Sequence, residues 1–332
     1  MIAMRCVRYG PPELLEFGRL PDPEPGPGEV LVEVHAAAVN FPDVLFVADG
    51  YQVSVPTPFT PGSEFAGVVL TAGAGADAPR PGDRVRGQVM TGAFAERIAV
   101  PADALTVAPP DGDLGLAAAG GVTFATAYSA LRTTAELAPG EWLAVTGAAG
   151  GVGSAAVVLG RALGARVLAV ASTREKAAFC RDLGANAVLA LEDHPDPPAV
   201  RERIRELCGG PDVVLDQVGG DLAEVMLRAM RRRGRFVAVG FASGAIPRIP
   251  LNLLLLKDVQ VRGFEIRGFA EHEATTYARD TTELAALRDK GIGPVVSARL
   301  PLERAAEALR LVADRRATGK IVLTTAAGRA AE

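Results

Sequence analysis

The stretch WLAVTGAAGGVGSAAVVLG, residues 142–160, constrains the fold more tightly than any other part of the 332-residue chain. It places a cluster of glycines between a buried-strand pattern and a helix pattern, the context in which a dinucleotide fingerprint carries meaning. Aligned from its last glycine, the motif is Ala148, Ala149, Gly150, Gly151, Val152, Gly153, so alanine stands where the first glycine of G-x-G-x-x-G is normally found. The logic of the turn is kept. Gly150 lets backbone N–H groups approach a pyrophosphate closely, Gly153 lets the helix pack on the strand, and the helix N-terminus adds partial positive charge. Ala149, Gly150, Gly151, Val152 and Gly153 are the candidate phosphate contacts.

The flanking sequence supports that frame. RVLAVA, NAVLAL, DVVLDQV and RFVAVGF read as strands, and they alternate with the helical patterns TREKAAFCRDLGA, PAVRERIRELCG and LAEVMLRAMRRRG. Strands alternating with helices of this length predict an α/β domain built on a doubly wound parallel sheet. Before about residue 118 the texture differs: VLVEVHAAAV, FAGVVL, DRVRGQV and FAERIAV are short apolar runs broken by PDPEPGPGE, TPFTPGSE and PRPGD. That spacing predicts a mostly antiparallel β domain. After about residue 258 the alternation stops, giving VQVRGF as a strand, a helix from Ala274 to Lys290, PLERAAEALRLVADR as another helix and GKIVLT as a last strand. The expected division is therefore 1–118, 119–258, and a tail, 259–332, that returns to the first domain.

The second strand of the parallel sheet ends at Ala171 and runs into Ser172, Thr173, Arg174, Glu175 and Lys176. A carboxylate at the strand tip would bind the ribose hydroxyls of NAD and repel a 2′-phosphate, whereas a hydroxyl followed by cations favours that phosphate. The reading is NADPH, with Ser172, Lys176 and Arg174 as candidate contacts. The plainer alternative is that Arg174 and Lys176 pair along the helix with Glu175 or Asp182.

Bulk properties narrow the function classes. A net charge of -4 and a pI near 5.6 leave no electrostatic footprint for nucleic acid or an anionic membrane. The one basic run, Arg231 to Arg233, reads as a solvated helix end. MIAMRCVRYG lacks the apolar stretch of a signal peptide, and IPLNLLLL is too short to cross a bilayer, so a cytoplasmic protein is expected. Cys6, Cys180 and Cys208 are dispersed and odd in number, which predicts buried, reduced thiols.

Several motifs together resemble the medium-chain dehydrogenase/reductase superfamily over nearly the whole chain. They are PGPGEVLVEVHAAAVNFPD, TPFTPGSEFAGVV, PGDRV, TFATAYSAL, GAAGGVG, DVVLDQVGG, VAVGFASG and ATGKIVL, and they look like the zinc-free, zeta-crystallin-like quinone oxidoreductase branch. The resemblance implies a GroES-like, mostly antiparallel β domain beside a Rossmann domain, NADPH as cofactor, and a homodimer joined through the edge strand near VQVRGF. Zinc alcohol dehydrogenases of the superfamily carry Cys where this chain has Asn40, and a His-Glu pair where it has Ser63-Glu64. No cysteine cluster exists to build a structural zinc lobe, and His35, His194 and His272 have no ligand spacing. A metal-free site is expected.

By the same resemblance Asn40 lies beside the nicotinamide and the acceptor, with Asp43 and Tyr51 on one loop, the catalytic candidates. An amide donates two hydrogen bonds and is uncharged, so Asn40 suits polarising a carbonyl. Tyr51 would orient the substrate, deliver a proton, or be only an exposed loop aromatic. The resemblance also implies that Thr126 matches a position near the nicotinamide carboxamide, that Gly240, Phe241 and Ser243 line the nicotinamide ribose, and that Arg316 matches a basic position of the cofactor cleft; the plainer alternatives are a threonine packed in a helix and a surface arginine. Two departures stand out: NAVLAL ends in Leu191 where relatives place a tyrosine, and the segment FEIRGF, read as a strand, puts Glu265, Ile266 and Arg267 near the acceptor side. The implied function is NADPH-dependent reduction of a quinone or similarly conjugated carbonyl. An enone or enoyl-CoA reductase is the alternative; a non-catalytic NADPH-binding crystallin-like or RNA-binding protein is a third, which the acidic pI opposes.

Overall fold

A computed structural model describes residues 1–194 and 196–331. It divides into two compact units, residues 1–122 with 294–332, and residues 123–293. In the first unit a short ladder pairs β1 (Ile2–Arg5) with β2 (Glu16–Arg19). A seven-stranded sheet follows, built from β3 (Glu29–Val39), β4 (Glu64–Ala72), β5 (Arg84–Gln88), β6 (Arg97–Pro101) and β7 (Leu105–Val107), to which the chain's last two strands are later added. The pairings among these five are antiparallel. Val30, Val32 and Val34 on β3 alternate inward, the period of a sheet with one face on a core. Helix α1 (Phe41–Val47) follows β3 directly and α2 (Leu114–Ala119) closes this part of the chain; α3 (Val122–Ser129) opens the second unit.

The second unit holds six parallel strands: β8 (Trp142–Thr146), β9 (Arg166–Ala171), β10 (Ala187–Ala190), β11 (Val213–Asp216), β12 (Arg235–Ala238) and β13 (Gln260–Gly263), in the order β10-β9-β8-β11-β12-β13. Between and after them come α4 (Gly151–Ala162), α5 (Arg174–Asp182), α6 (Pro197–Cys208), α7 (Asp221–Ala229), α8 (Leu251–Lys257), α9 (Ile266–His272) and α10 (Ala274–Asp289). Central strands are apolar throughout because both faces are covered. Leu143 and Val145 face a core with α3 and α4, while Ala144 and Val214 face another with α6 and α7.

The tail corrects the expected boundary. Gln260–Gly263 does not return to the first unit; it pairs in parallel with β12, and Leu284 of α10 is buried in the second unit's core. The return comes at Pro294, with β14 (Val296–Pro301), α11 (Ala305–Ala313), β15 (Lys320–Thr324) and α12 (Ala326–Ala331). FEIRGF is also not a strand. The Glu265 carboxylate accepts the N–H groups of Arg267 and Gly268, which caps α9 and ends the ladder at Gly263. All three cysteines are buried and free, and Arg231 to Arg233 is exposed, paired with Asp212 and Asp258. Among the described residues no helix is long and apolar enough to cross a membrane.

Candidate active site

Three strand ends converge on a buried polar cluster in the first unit. β3 stops at Val39 and Asn40 takes the N-cap position of α1, its backbone N–H donating to Asp43 Oδ2 at 2.7 Å. The antiparallel register Ile321↔Val39 sets Lys320, the first residue of β15, beside Asn40. The register Ala37↔Phe65 brings in Glu64, the first residue of β4. Lys320 Nζ donates to Asn40 Oδ1 and to Val39 O (3.1 Å), and lies 3.4 Å from Glu64 Oε2. Asn40 Nδ2 donates to Glu64 Oε2 at 3.0 Å, with 3.4 Å contacts to Ser63 Oγ and Ala38 O. Glu64 Oε1 accepts from the N–H groups of Gly121 and, at 3.0 Å, Val122.

That arrangement dictates which way the Asn40 amide points. An ammonium only donates, so the atom facing Lys320 is the amide oxygen and the NH2 group is turned the other way. One of its hydrogens is held by Glu64; the other has only long contacts and is the one able to serve an acceptor. Asn40, Glu64 and Lys320 are each 4% exposed or less. Asp43 is fully buried, and burial pushes its carboxyl up to about 7 against the lowering effects of the Ser63 hydroxyl, the Asn40 N–H and Lys320, with nearby Glu64 raising it further. Asp43 Oδ1 has no hydrogen-bond partner. Tyr51, beyond α1, packs its ring on Phe46 with centroids 4.6 Å apart. Arg316 is exposed in the turn after α11, its N–H donating to Leu311 O.

Metal chemistry can be tested on this donor set. Zinc is held by thiolates, imidazoles and carboxylates. Here an amide, a hydroxyl and one carboxylate meet, and that carboxylate is already engaged by an ammonium and two backbone N–H groups. Asn40, Ser63, Glu64 and Lys320 do not fit a zinc ion.

In the second unit the glycine-rich turn leaves β8 at Gly147, whose φ of +57° lies in the left-handed region that favours glycine. Ala148 and Ala149 bury their methyl groups in the core, Gly150 is the N-cap of α4, and Gly151, Val152 and Gly153 form its first turn. A Cβ on Gly153 would lie 2.3 Å from Gly147 O and 2.6 Å from Gln217 Nε2, so the close helix–strand approach requires glycine. Those residues fit a pyrophosphate cradle. Across the sheet edge, Thr146 Oγ1 donates to Asp216 Oδ1 (2.6 Å) and Gln217 Nε2 to Thr146 O (2.8 Å), tying β8 to β11. The N–H groups of Ala242 and Ser243 donate to Gln217 O and Val218 O, which fixes the loop of Gly240, Phe241 and Ser243 at the same carboxyl edge. Phe241 is exposed there, and Thr126 is buried on α3.

At the tip of β9, Ser172 is exposed and Thr173 caps α5 by accepting the Lys176 N–H at 3.2 Å. Arg174 does not pair along its helix with Glu175 or Asp182. Its guanidinium meets Asp193 Oδ1 at 2.5 Å, and its backbone N–H donates to Glu192 Oε1 at 2.6 Å.

The zinc-binding dehydrogenase family matches residues 151–282, and the alcohol dehydrogenase GroES-like domain matches residues 26–110. Quinone oxidoreductase-like protein 2 of Rattus norvegicus is 35% identical over 303 residues, 90% of this chain and 85% of that protein. The chain belongs to the zinc-free quinone oxidoreductase branch of the medium-chain dehydrogenase/reductase superfamily. It is an oxidoreductase with a GroES-like domain and a Rossmann domain. Among solved quinone oxidoreductases, the Thermus thermophilus protein, also determined in complex with NADPH, is 36% identical with a TM-score of 0.84, covering 98% of this chain and all of its own. The Escherichia coli quinone oxidoreductase complexed with NADPH is 30% identical, with a TM-score of 0.87 over 98% of this chain and all of its own.

Sequence reasoning passed over Lys320 and treated Glu64 only as part of a replaced ligand pair. The signal was present: a lysine opens the fully buried strand KIVLT and a glutamate opens EFAGVV, and lone opposite charges inside two buried strands imply a mutual partner. Asp216 and Gln217, at the end of DVVLDQV, were missed in the same way.

Proposed function

We propose that this chain is an NADPH-dependent reductase of quinones or similarly conjugated carbonyls that works without a metal. The observation carrying the reading is the Asn40 amide, oriented by Lys320 and Glu64 where the zinc enzymes of the superfamily place a ligand. NADPH, when bound, supplies a hydride from its nicotinamide ring. Ala149 to Gly153 and the α4 N-terminus hold the pyrophosphate, Ser172, Arg174 and Lys176 receive the 2′-phosphate, and Gly240, Phe241, Ser243, Thr126 and Arg316 complete the cofactor contacts. Asn40 donates its second N–H to the acceptor oxygen and stabilises the negative charge that develops there. Lys320 draws on the amide oxygen and so strengthens that donor. Asp43, wholly enclosed, positions Asn40 through its backbone N–H rather than touching the acceptor, and Tyr51 orients the acceptor. The working form is a homodimer joined at the β13 edge, and its place is the cytoplasm.

A steady-state panel tests this reading: NADPH and NADH, each with 1,4-benzoquinone, 9,10-phenanthrenequinone, an enone and crotonyl-CoA, before and after chelation. Turnover of both quinones with NADPH, unchanged by chelator, is expected. Inactivity on both quinones with fast crotonyl-CoA reduction transfers the assignment to enoyl thioesters, and NADPH binding without oxidation on any acceptor points to the non-catalytic class.

A further inference from the structure

The β9 tip lacks an acid in sequence, but it does not lack one in space. β10 pairs with β9 in parallel with Ala190 opposite Ala171, so the residues following β10 emerge beside those following β9. Glu192 and Asp193 therefore arrive next to Ser172 and Arg174, and the Glu192 N–H donates to Ser172 O at 3.2 Å. Glu192 Oε1 takes the Arg174 N–H at 2.6 Å, one of the donors that a helix N-terminus offers to an anion, and Asp193 takes the Arg174 guanidinium at 2.5 Å. With Glu175 in the first turn of α5, three carboxylates (Glu175, Glu192, Asp193) stand against two cations (Arg174, Lys176).

We propose that Glu192 and Asp193 are a built-in competitor for the 2′-phosphate of NADPH, so that this chain separates NADPH from NADH less steeply than Ser172, Arg174 and Lys176 would alone. The inference rests on the reading that the β9–α5 turn receives the adenosine ribose of NADPH. A phosphate carrying nearly two negative charges must take the Arg174 guanidinium from Asp193 and the Arg174 N–H from Glu192, while both displaced carboxylates stay close and repel it. A 2′-hydroxyl meets no such opposition, since either carboxylate can accept its hydrogen.

Calorimetry on the full chain, with adenosine 2′,5′-bisphosphate and AMP as probes, tests this on Glu192→Gln, Asp193→Asn and the double variant. Both residues are exposed, and glutamine still offers an acceptor to the Arg174 N–H. The double variant is expected to bind the bisphosphate about tenfold more tightly, with AMP affinity moving less than twofold and the gain shrinking at high salt. The NADPH/NADH ratio of kcat/KM should rise with it. Unchanged bisphosphate affinity in all variants, with the wild type still preferring it to AMP, overturns the competitor and leaves the NADPH reading intact. A wild type that prefers AMP, with variants that gain the bisphosphate, upholds the competitor and overturns the NADPH reading.

Discussion

In the proposed reaction Lys320 serves stability and catalysis by separable routes. Removing one partner of a buried ion pair strands the other charge, at a cost of about 3–5 kcal/mol. Lys320→Met should therefore lower stability steeply by leaving Glu64 unpaired, and it should also free the Asn40 amide to turn over. Adding Glu64→Gln restores neutrality. The double variant is expected to recover most of its unfolding free energy yet keep a kcat lowered by about tenfold or more, with the KM for NADPH nearly unchanged. Full recovery of kcat together with stability would reduce Lys320 to a counter-charge. Asp43 offers a second residue-level test, through pH. Its folded carboxyl titrates near 7 against 3.8 for the free side chain, so between those values the folded state holds a proton that the unfolded chain has released. Stability from this group is accordingly present at low pH and lost as pH rises toward 7, by about 1.4 kcal/mol per unit across the window. Thermal unfolding of Asp43→Asn from pH 5 to 8 should lack that decline, and parallel pH profiles for variant and wild type would show that Asp43 ionises normally.

At the scale of elements, the β8–α4 junction depends on one close approach. Gly153→Val forces a side chain into Gly147 O and Gln217 Nε2. The expected result is a KM for NADPH raised by about tenfold or more with the acceptor KM little changed; equal changes in both would mean that the junction serves packing alone. This junction was legible in the sequence because a strand, a glycine turn and a helix are contiguous, and the parallel strands were legible because burial on both faces makes them uniformly apolar. The Asn40–Lys320 contact was not, since its partners are 280 residues apart and meet only through the β15–β3 register. The acids at the β9 tip were hidden for the same reason, because they belong to the next strand's loop. The end of β13 was misjudged for a local one: Glu265 caps a helix inside a segment whose apolar residues also suit a strand.

At the scale of the whole molecule, the second unit carries exposed apolar side chains at the end of its sheet. β13 is the last strand of the parallel sheet, and Val261 on it is exposed. Just before it, α8 leaves Leu251, Leu255 and Leu256 at 77%, 81% and 72% exposure, although each would contribute roughly 1.5–3 kcal/mol if fully buried. An unpaired strand edge beside bare leucines is a liability in a monomer and an asset across a two-fold axis, where the same edge and the same leucines meet their copies. That complementarity supports the proposed homodimer. Light scattering coupled to size exclusion should give the mass of two chains for the wild type and of one chain for Leu255→Glu with Leu256→Glu. The separated chain should stay folded, because each unit has its own core, but unfold at a lower temperature that no longer rises with protein concentration. A wild type with the mass of one chain, or a double variant still at two, would move the contact elsewhere and leave the leucines without a partner from this chain.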